Sequence, residues 1–165
     1  VRPRKRFVYG FTTPETLSEC PLVVDPSGVY FRPEGKGFLC GVSPSPSDDP
    51  DTLDLAMDYR LFHEVIWPVL ARRVPALDSL RLGSSWAGHY AFNTEDQNAI
   101  VGPHPERANF LFANGFSGHG LQHSPGIGKA ISELVLHGEY RTLDLRRFSF
   151  ERFARGERIR EVNVV

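Results

Sequence analysis

Apolar positions recur along this chain with two different periods, and the switch between them predicts the elements. Up to residue 42 the apolar runs are short and separated by turn residues: 6–11, 21–24, 29–32 and 38–42. Between them lie Asp25-Pro26-Ser27-Gly28 and Pro33-Glu34-Gly35-Lys36-Gly37, where proline and glycine suit tight turns. Short strands joined by such turns predict an antiparallel meander. "SPSPSDDPD", residues 43–51, reads as an exposed polar connection. From 55 to 73 the spacing turns helical, with Leu55, Tyr59, Phe62, Val65, Ile66, Val69 and Leu70 as core residues. Pro68 should kink or split that helix, and Pro75 ends it. Residues 80–92 read as a strand with a bulge near Gly83 or Gly88. Residues 93–96 form a turn, 99–103 a short strand ended by Pro103, and 104–107 another turn.

The densest signal is "NGFSGHGLQHSPGIGKAISELVLHG", residues 114–138. Before it, residues 109–113 form an apolar run the length of a buried strand. After it, Ile127, Ala130, Ile131, Leu134 and Val135 share one helix face. Ser124 suits the N-cap, Pro125 the first helical position and Gly138 the stop. Gly115, Gly118 and Gly120 lie between strand and helix. Glycine lets a ligand approach the backbone, and a helix N-terminus favours a negative group. An anion or electron-rich heterocycle near 115–122 is one reading; a glycine-rich connection with no ligand is the other. Standard motifs fail: His119 stands where a nucleophile elbow needs glycine, and His123 where a P-loop or dinucleotide fingerprint does.

Composition narrows the classes. The chain has 165 residues, 41% of them hydrophobic, enough for a real core. A net charge of −1 gives no electrostatic case for nucleic acid or an anionic membrane. The basic cluster Arg2, Arg4, Lys5, Arg6 reads as a solvated strand entry. Cys20 and Cys40 make no disulfide framework, and Cys40 reads as a buried thiol. No apolar run reaches the length of about 18 that a membrane span needs. His119 and His123 lie four apart without a cysteine or carboxylate beside them, so no metal site is expected. His63 and His137 read as surface positions, whereas His89 and His119 flank glycines. The chain begins with Val1 and enters a strand at once, as the middle of a longer protein would.

Trp86-x-Gly88, Asp96, Pro103-His104-Pro105 and Gly115-Phe116-Ser117-Gly118-His119-Gly120 together resemble the C-terminal part of the FAD-dependent amine oxidoreductases of the D-amino-acid oxidase type, which include sarcosine oxidase and dimethylglycine dehydrogenase. The resemblance implies an α+β fold: an antiparallel substrate-domain sheet with helices, plus the last strand and helix of a Rossmann-like FAD domain. It implies a substrate-domain part over 1–105 with the helix 55–73, a closing strand, glycine loop and helix over 106–140, and a basic, extended tail over 141–165. The G-x-G-x-x-G that grips the FAD diphosphate would come from an N-terminal half of the same protein. FAD would then lie along Gly115, Phe116, Ser117, Gly118, His119, Gly120 and Leu121, with backbone at 118–121 stabilising negative charge on reduced flavin. The implied reaction is hydride transfer from a C–H next to nitrogen, on a small amine or amino acid, with Tyr30, Gln122 and His89 on the substrate side and no catalytic residue assigned.

Two departures bear on activity. Gln122 stands where monomeric sarcosine oxidase has a lysine, and a neutral amide brings no positive charge. This favours a dehydrogenase over an oxygen-using oxidase. His89 falls at or near the cysteine by which those oxidases tether flavin, so covalent flavin is not expected through this part. One member of the family is a mitochondrial protein linked with assembly of the respiratory NADH dehydrogenase complex. The resemblance therefore also implies a mitochondrial location, and leaves a non-catalytic FAD-binding assembly factor for respiratory subunits as the alternative.

Overall fold

The computed structural model describes residues 1–15, 17 and 19–160. They form two units: residues 4–89, and residues 1–3 with the chain from 90 onward. In the first lies a sheet with strand order β2-β3-β4-β1-β5, built from β1 (Arg2–Thr12), β2 (Val23–Val24), β3 (Tyr30–Glu34), β4 (Gly37–Gly41) and β5 (Arg81–Phe92). The meander expectation holds for β2-β3-β4, with Val23 opposite Phe31 and Phe31 opposite Cys40. β1 departs from it. It pairs with β4, Tyr9 opposite Cys40, and not with its sequence neighbour β2. The turn at 25–28 closes as its residues dictate: Gly28 N–H donates to Asp25 C=O at 2.8 Å and Gly28 has φ 86°.

Period-two burial along β1 places Phe7, Tyr9 and Phe11 on one face, with Phe31 and Cys40 beside them. Phe62, Ile66 and Leu70, spaced one helical turn apart, complete this core together with Leu77. Each such side chain contributes about 1.5–3 kcal/mol by leaving water. The helix consists of α1 (Tyr59–Leu61), a π turn (Phe62–Ile66) and α2 (Trp67–Arg73). It starts later than the apolar pattern suggests, because Asp58 accepts the Arg60 N–H at 2.9 Å and caps it there; Leu55 lies outside and is exposed. Pro68 acts as its chemistry requires. It has no N–H to offer one turn back, and just before it the helix widens, with Trp67 N–H bonded to Phe62 C=O.

The basic cluster and the acidic loop find each other, against the expectation that both are simply solvated. Arg6 donates to both oxygens of Asp49 at 2.7 and 3.0 Å, Arg4 Nε to Asp51 at 2.9 Å, and Lys5 to Asp54 at 2.8 Å. Arg6 and Asp49 are nearly buried.

The second unit holds β6 (Ile100–His104) and β7 (Arg107–Asn114), a two-stranded antiparallel pair with a bulge at Pro103/His104, then α3 (Gly120–His137) and α4 (Glu151–Ala154). β6 thus runs through Pro103 to His104. The apolar run in β7 is not the buried strand expected from its composition: Phe110 is half exposed, and no residue of β7 is fully buried. Among the described residues only β6 pairs with it. Nor is the tail simply extended. Residues 146–148 make a 3-10 turn, α4 follows, and Arg152 within α4 is completely buried. Tail residues 161–165 lie outside the described residues. Among the described residues no helix is long and apolar enough to cross a membrane.

Candidate functional site

The loop between β7 and α3 carries Gly115, Phe116, Ser117, Gly118 and His119, and the first two residues of α3 are Gly120 and Leu121, which completes the set expected to face a cofactor. Its path is left-handed at three positions, with φ 70° at Gly115, 50° at Ser117 and 103° at Gly118. At Ser117 this conformation costs about 1–2 kcal/mol. Two of the glycines are explained by the chain itself. A Cβ on Gly118 would lie 2.7 Å from the Tyr90 ring, and one on Gly115 would press on Asn93 at 3.3 Å. Gly120 differs. Its backbone is helical, and a Cβ there would meet only Phe116, at an ordinary 3.5 Å. The chain's own packing sets no need for glycine at this position, as is also true of Gly128 further along the helix.

α3 begins at Gly120, with His119 at its N-cap. The sequence placed the start at Ser124 and Pro125, and that is corrected here. Pro125 lies inside the helix and leaves the Leu121 carbonyl without its usual N–H; the Ser124 hydroxyl donates to that carbonyl at 2.8 Å instead. A residue chosen as a cap from its type thus repairs the helix one turn further in. The consequence for the site is direct. The first N–H groups of the helix, at Gly120, Leu121 and Gln122, have no carbonyl one turn back and carry its positive dipole end. They sit immediately after the glycine loop. Gly138 stops the helix as expected, in the left-handed conformation. Val135, expected on the apolar face, is instead exposed, whereas Ala130 and Glu133 are buried.

A buried polar network holds the loop. Ser117 N–H donates to Ala91 C=O at 3.2 Å, and Ser117 Oγ accepts the Asn93 N–H at 3.0 Å. Asn93 Nδ2 donates to Asp96 Oδ1 at 2.9 Å. Arg152 clamps Asp96 with two bonds, Nε to Oδ2 at 2.8 Å and Nη2 to Oδ1 at 2.9 Å, and both side chains are fully buried. Burial alone would push the Asp96 carboxyl up; the Arg152 guanidinium and the N–H groups of Ile159 and Asn98 outweigh it and hold the pKa below the ordinary range. Glu133 on α3 works similarly for the tail. It accepts the Thr142 hydroxyl, the Arg141 and Thr142 N–H groups and Lys129, and these bonds hold its pKa well down. Among these residues the sequence marked Ser117 and Asp96, both for other reasons, and read Asn93 only as part of a turn. An Asn three places before an Asp at a strand end is a legible turn signal, but Arg152, 56 residues away, carried none.

The substrate-side expectations fall in different places. Gln122 and His123, with Asn98, Ile127, Leu143 and Phe148, line a cavity of about 320 Å³ in the second unit. His119 and His123 stack their rings 5.8 Å apart, and among the described residues no group of histidine, cysteine, aspartate or glutamate could hold a metal. Tyr30 and His89 belong to the first unit. His89 is exposed on β5, and Tyr30 lies on β3 with its hydroxyl over Gly41, where a Cβ would come within 2.7 Å. β4 and β1 separate these two strands, which are thus about 14 Å apart across the sheet.

The chain belongs to the FAD-dependent oxidoreductase family (DAO), whose sequence pattern matches residues 1–134. Among curated relatives, FAD-dependent oxidoreductase domain-containing protein 1 of Xenopus laevis is 49% identical over 168 residues, covering 100% of this chain and 34% of that protein. The protein of the same name from Bos taurus is 50% identical, covering 98% of this chain and 34% of its own. The chain therefore spans about a third of the length of the curated relatives it matches. Among solved structures, L-proline dehydrogenase from P. horikoshii superposes with a TM-score of 0.83 at 26% identity, over 96% of this chain and 41% of that one. The antiparallel sheet with few helices is thus the α+β fold of this family, and the family is FAD dependent.

Proposed function

We propose that this chain supplies the flavin-ring side of an FAD-dependent dehydrogenase acting on a small amine or amino acid. The observation that carries the reading is Gly120: a glycine that its own chain does not require, at the positive end of an 18-residue helix. FAD, when bound, takes up a hydride from a C–H next to nitrogen. The residues of the chain do the rest. Gly120, free of a side chain, leaves the first N–H groups of α3 open, and backbone at 118–121 offers hydrogen bonds to the negative charge that reduction brings. Gly115, Phe116, Ser117 and His119 fix the path of that backbone. Of the three residues the resemblance assigns to the substrate side, Gln122 adjoins this backbone, whereas Tyr30 and His89 belong to the other unit. Gln122 offers an amide and no charge, which supports a dehydrogenase over an oxidase. L-proline dehydrogenase, whose structure superposes on this chain, is itself a dehydrogenase.

The diphosphate grip comes from a further segment of the full-length protein, in keeping with relatives about three times as long. That segment covers β7, whose apolar residues this chain leaves half exposed. The reading places the protein in the mitochondrion. Anaerobic mixing of the full-length protein with sarcosine, dimethylglycine and L-proline tests the chemistry: at least one should bleach the flavin absorbance. If none does while FAD stays bound, the second reading replaces the first. That is a non-catalytic flavoprotein assisting assembly of respiratory subunits, which the neutral Gln122 also suits.

A further inference from the structure

The buried network ends at the glycine loop, and it starts far from it in sequence. Arg152 is fully buried and anchors its own short helix through the carbonyls of Phe148 and Ser149, at 2.7 and 3.2 Å. Its other nitrogens hold Asp96 and the Asn98 carbonyl. Asp96 in turn receives Asn93 Nδ2, whose side chain also reaches the Asn98 carbonyl at 2.6 Å. Asn93 then gives its backbone N–H to Ser117 Oγ, and Ser117 Oγ donates to Gly115 C=O at 3.3 Å. Ser117 is the loop's one non-glycine residue in a left-handed conformation, and it is completely buried. A serine held there needs its surroundings to over-determine it. The chain of bonds from Arg152 provides that.

We propose that Arg152 is a positioning residue for the flavin loop, acting through Asp96 and Asn93 on Ser117. The functional half of this statement rests on the flavin reading above; the mechanical half does not. Every link is a buried bond between polar groups, so loosening one end leaves donors or acceptors unpaired along the line. Fixed carbonyls and N–H groups at 115–120 are what a preorganised cofactor site requires. The C-terminal segment thus sets the conformation of a loop it does not adjoin in sequence.

The test uses the full-length protein with three variants: Arg152→Lys, Ser117→Gly and the double variant. Lysine keeps the charge beside Asp96 but loses the two-pronged clamp, so the fold survives where Arg152→Met would endanger it. Glycine at 117 accepts the left-handed backbone but lacks the hydroxyl. Hydrogen–deuterium exchange is measured at residues 115–120 and, as an internal control, at 128–136 of α3. Arg152→Lys should speed exchange in the loop about tenfold and leave the control unchanged. FAD affinity should fall about tenfold in each single variant, and the double variant should be no worse than the weaker single. Equal acceleration in loop and control, an unchanged loop, or multiplying effects in the double variant would overturn the proposal. If the wild-type protein binds no FAD, the flavin reading fails, and the exchange data still decide whether Arg152 governs the loop.

Discussion

The two units bury different things. Residues 4–89 close over a continuous apolar core: Phe7, Tyr9, Phe11, Phe31, Phe62, Ile66, Leu70 and Leu77 are all under a tenth exposed. The unit from residue 90 buries a few apolar residues, Ala99, Ile100, Val101 and Ala130, and beside them a larger set of polar groups. Its most enclosed large side chain is Arg152, with Asp96, Asn93, Ser117 and Glu133 also buried, while Phe110, Leu121, Leu136 and Phe150 face solvent. The first unit satisfies its own sheet. The second uses its interior to fix a loop and leaves the apolar residues of β7 partly exposed. A polar interior specifies one geometry at the expense of stability, which suits the positioning role proposed above for this unit.

The contrast can be broken from either side. Arg152→Met should have the largest effect, about 3–5 kcal/mol of lost stability, because it leaves the Asp96 carboxylate buried and unpaired; urea unfolding measures it. Phe62→Ala should cost a similar amount, about 3–5 kcal/mol, through a cavity in the first unit. The two differ in their consequence. The core variant should leave loop exchange at 115–120 unchanged relative to the rest of the second unit, and the clamp variant should not.

Acid should affect the second unit next. Asp96 and Glu133 have folded pKa values below their unfolded ones. Such groups contribute stability that is fully present above the unfolded pKa of about 4 and lost as pH falls through the folded value. The melting temperature should therefore be flat from pH 7 to about 5 and decline below about 4. Glu133→Gln should flatten part of that decline, as a pH series of thermal melts would show.

The smallest effect is chemical. Burial pushes the Cys40 thiol up to about 12 and leaves it without exposure, whereas Cys20 is partly exposed. Iodoacetamide at pH 8 should label Cys20 in the native protein and reach Cys40 only on unfolding. Mass spectrometry of the labelled peptides decides between them.

Much of this was legible in the sequence wherever one residue dictates its own neighbourhood. The turn at 25–28, the β2-β3-β4 meander, the helix ending at Arg73, Gly138 as a stop and Cys40 as a buried thiol all follow from local chemistry. The glycine loop was legible as a place, though not in its reasons: Gly115 and Gly118 serve the chain's own path, whereas at Gly120 that packing sets no such need. Long-range pairing was not legible. Nothing local says that β1 inserts beside β4, that the basic strand meets the acidic loop, or that Arg152 seeks Asp96. The start of α3 misled because Ser124 and Pro125 are cap residues by type. Their hydroxyl and missing N–H compensate one another within the helix, so the usual cap signal marks a repaired turn. β7 misled for a different reason. Its apolar composition suggests a buried strand, yet only β6 pairs with it among the described residues and Phe110 stays half exposed.

The most direct measurement is the FAD affinity of full-length protein carrying Gly120→Leu, against wild type. The three atoms nearest to a Cβ at this position belong to Phe116, at ordinary distances of 3.5–3.8 Å, so the thermal midpoint is expected not to fall. Glycine costs a helix about 0.5–1 kcal/mol relative to alanine, which makes a small rise as acceptable as no change. FAD affinity should drop at least about tenfold, because the side chain occupies the space the flavin needs. A variant that keeps its fold and binds FAD as tightly as wild type would contradict the assignment of this loop to the flavin.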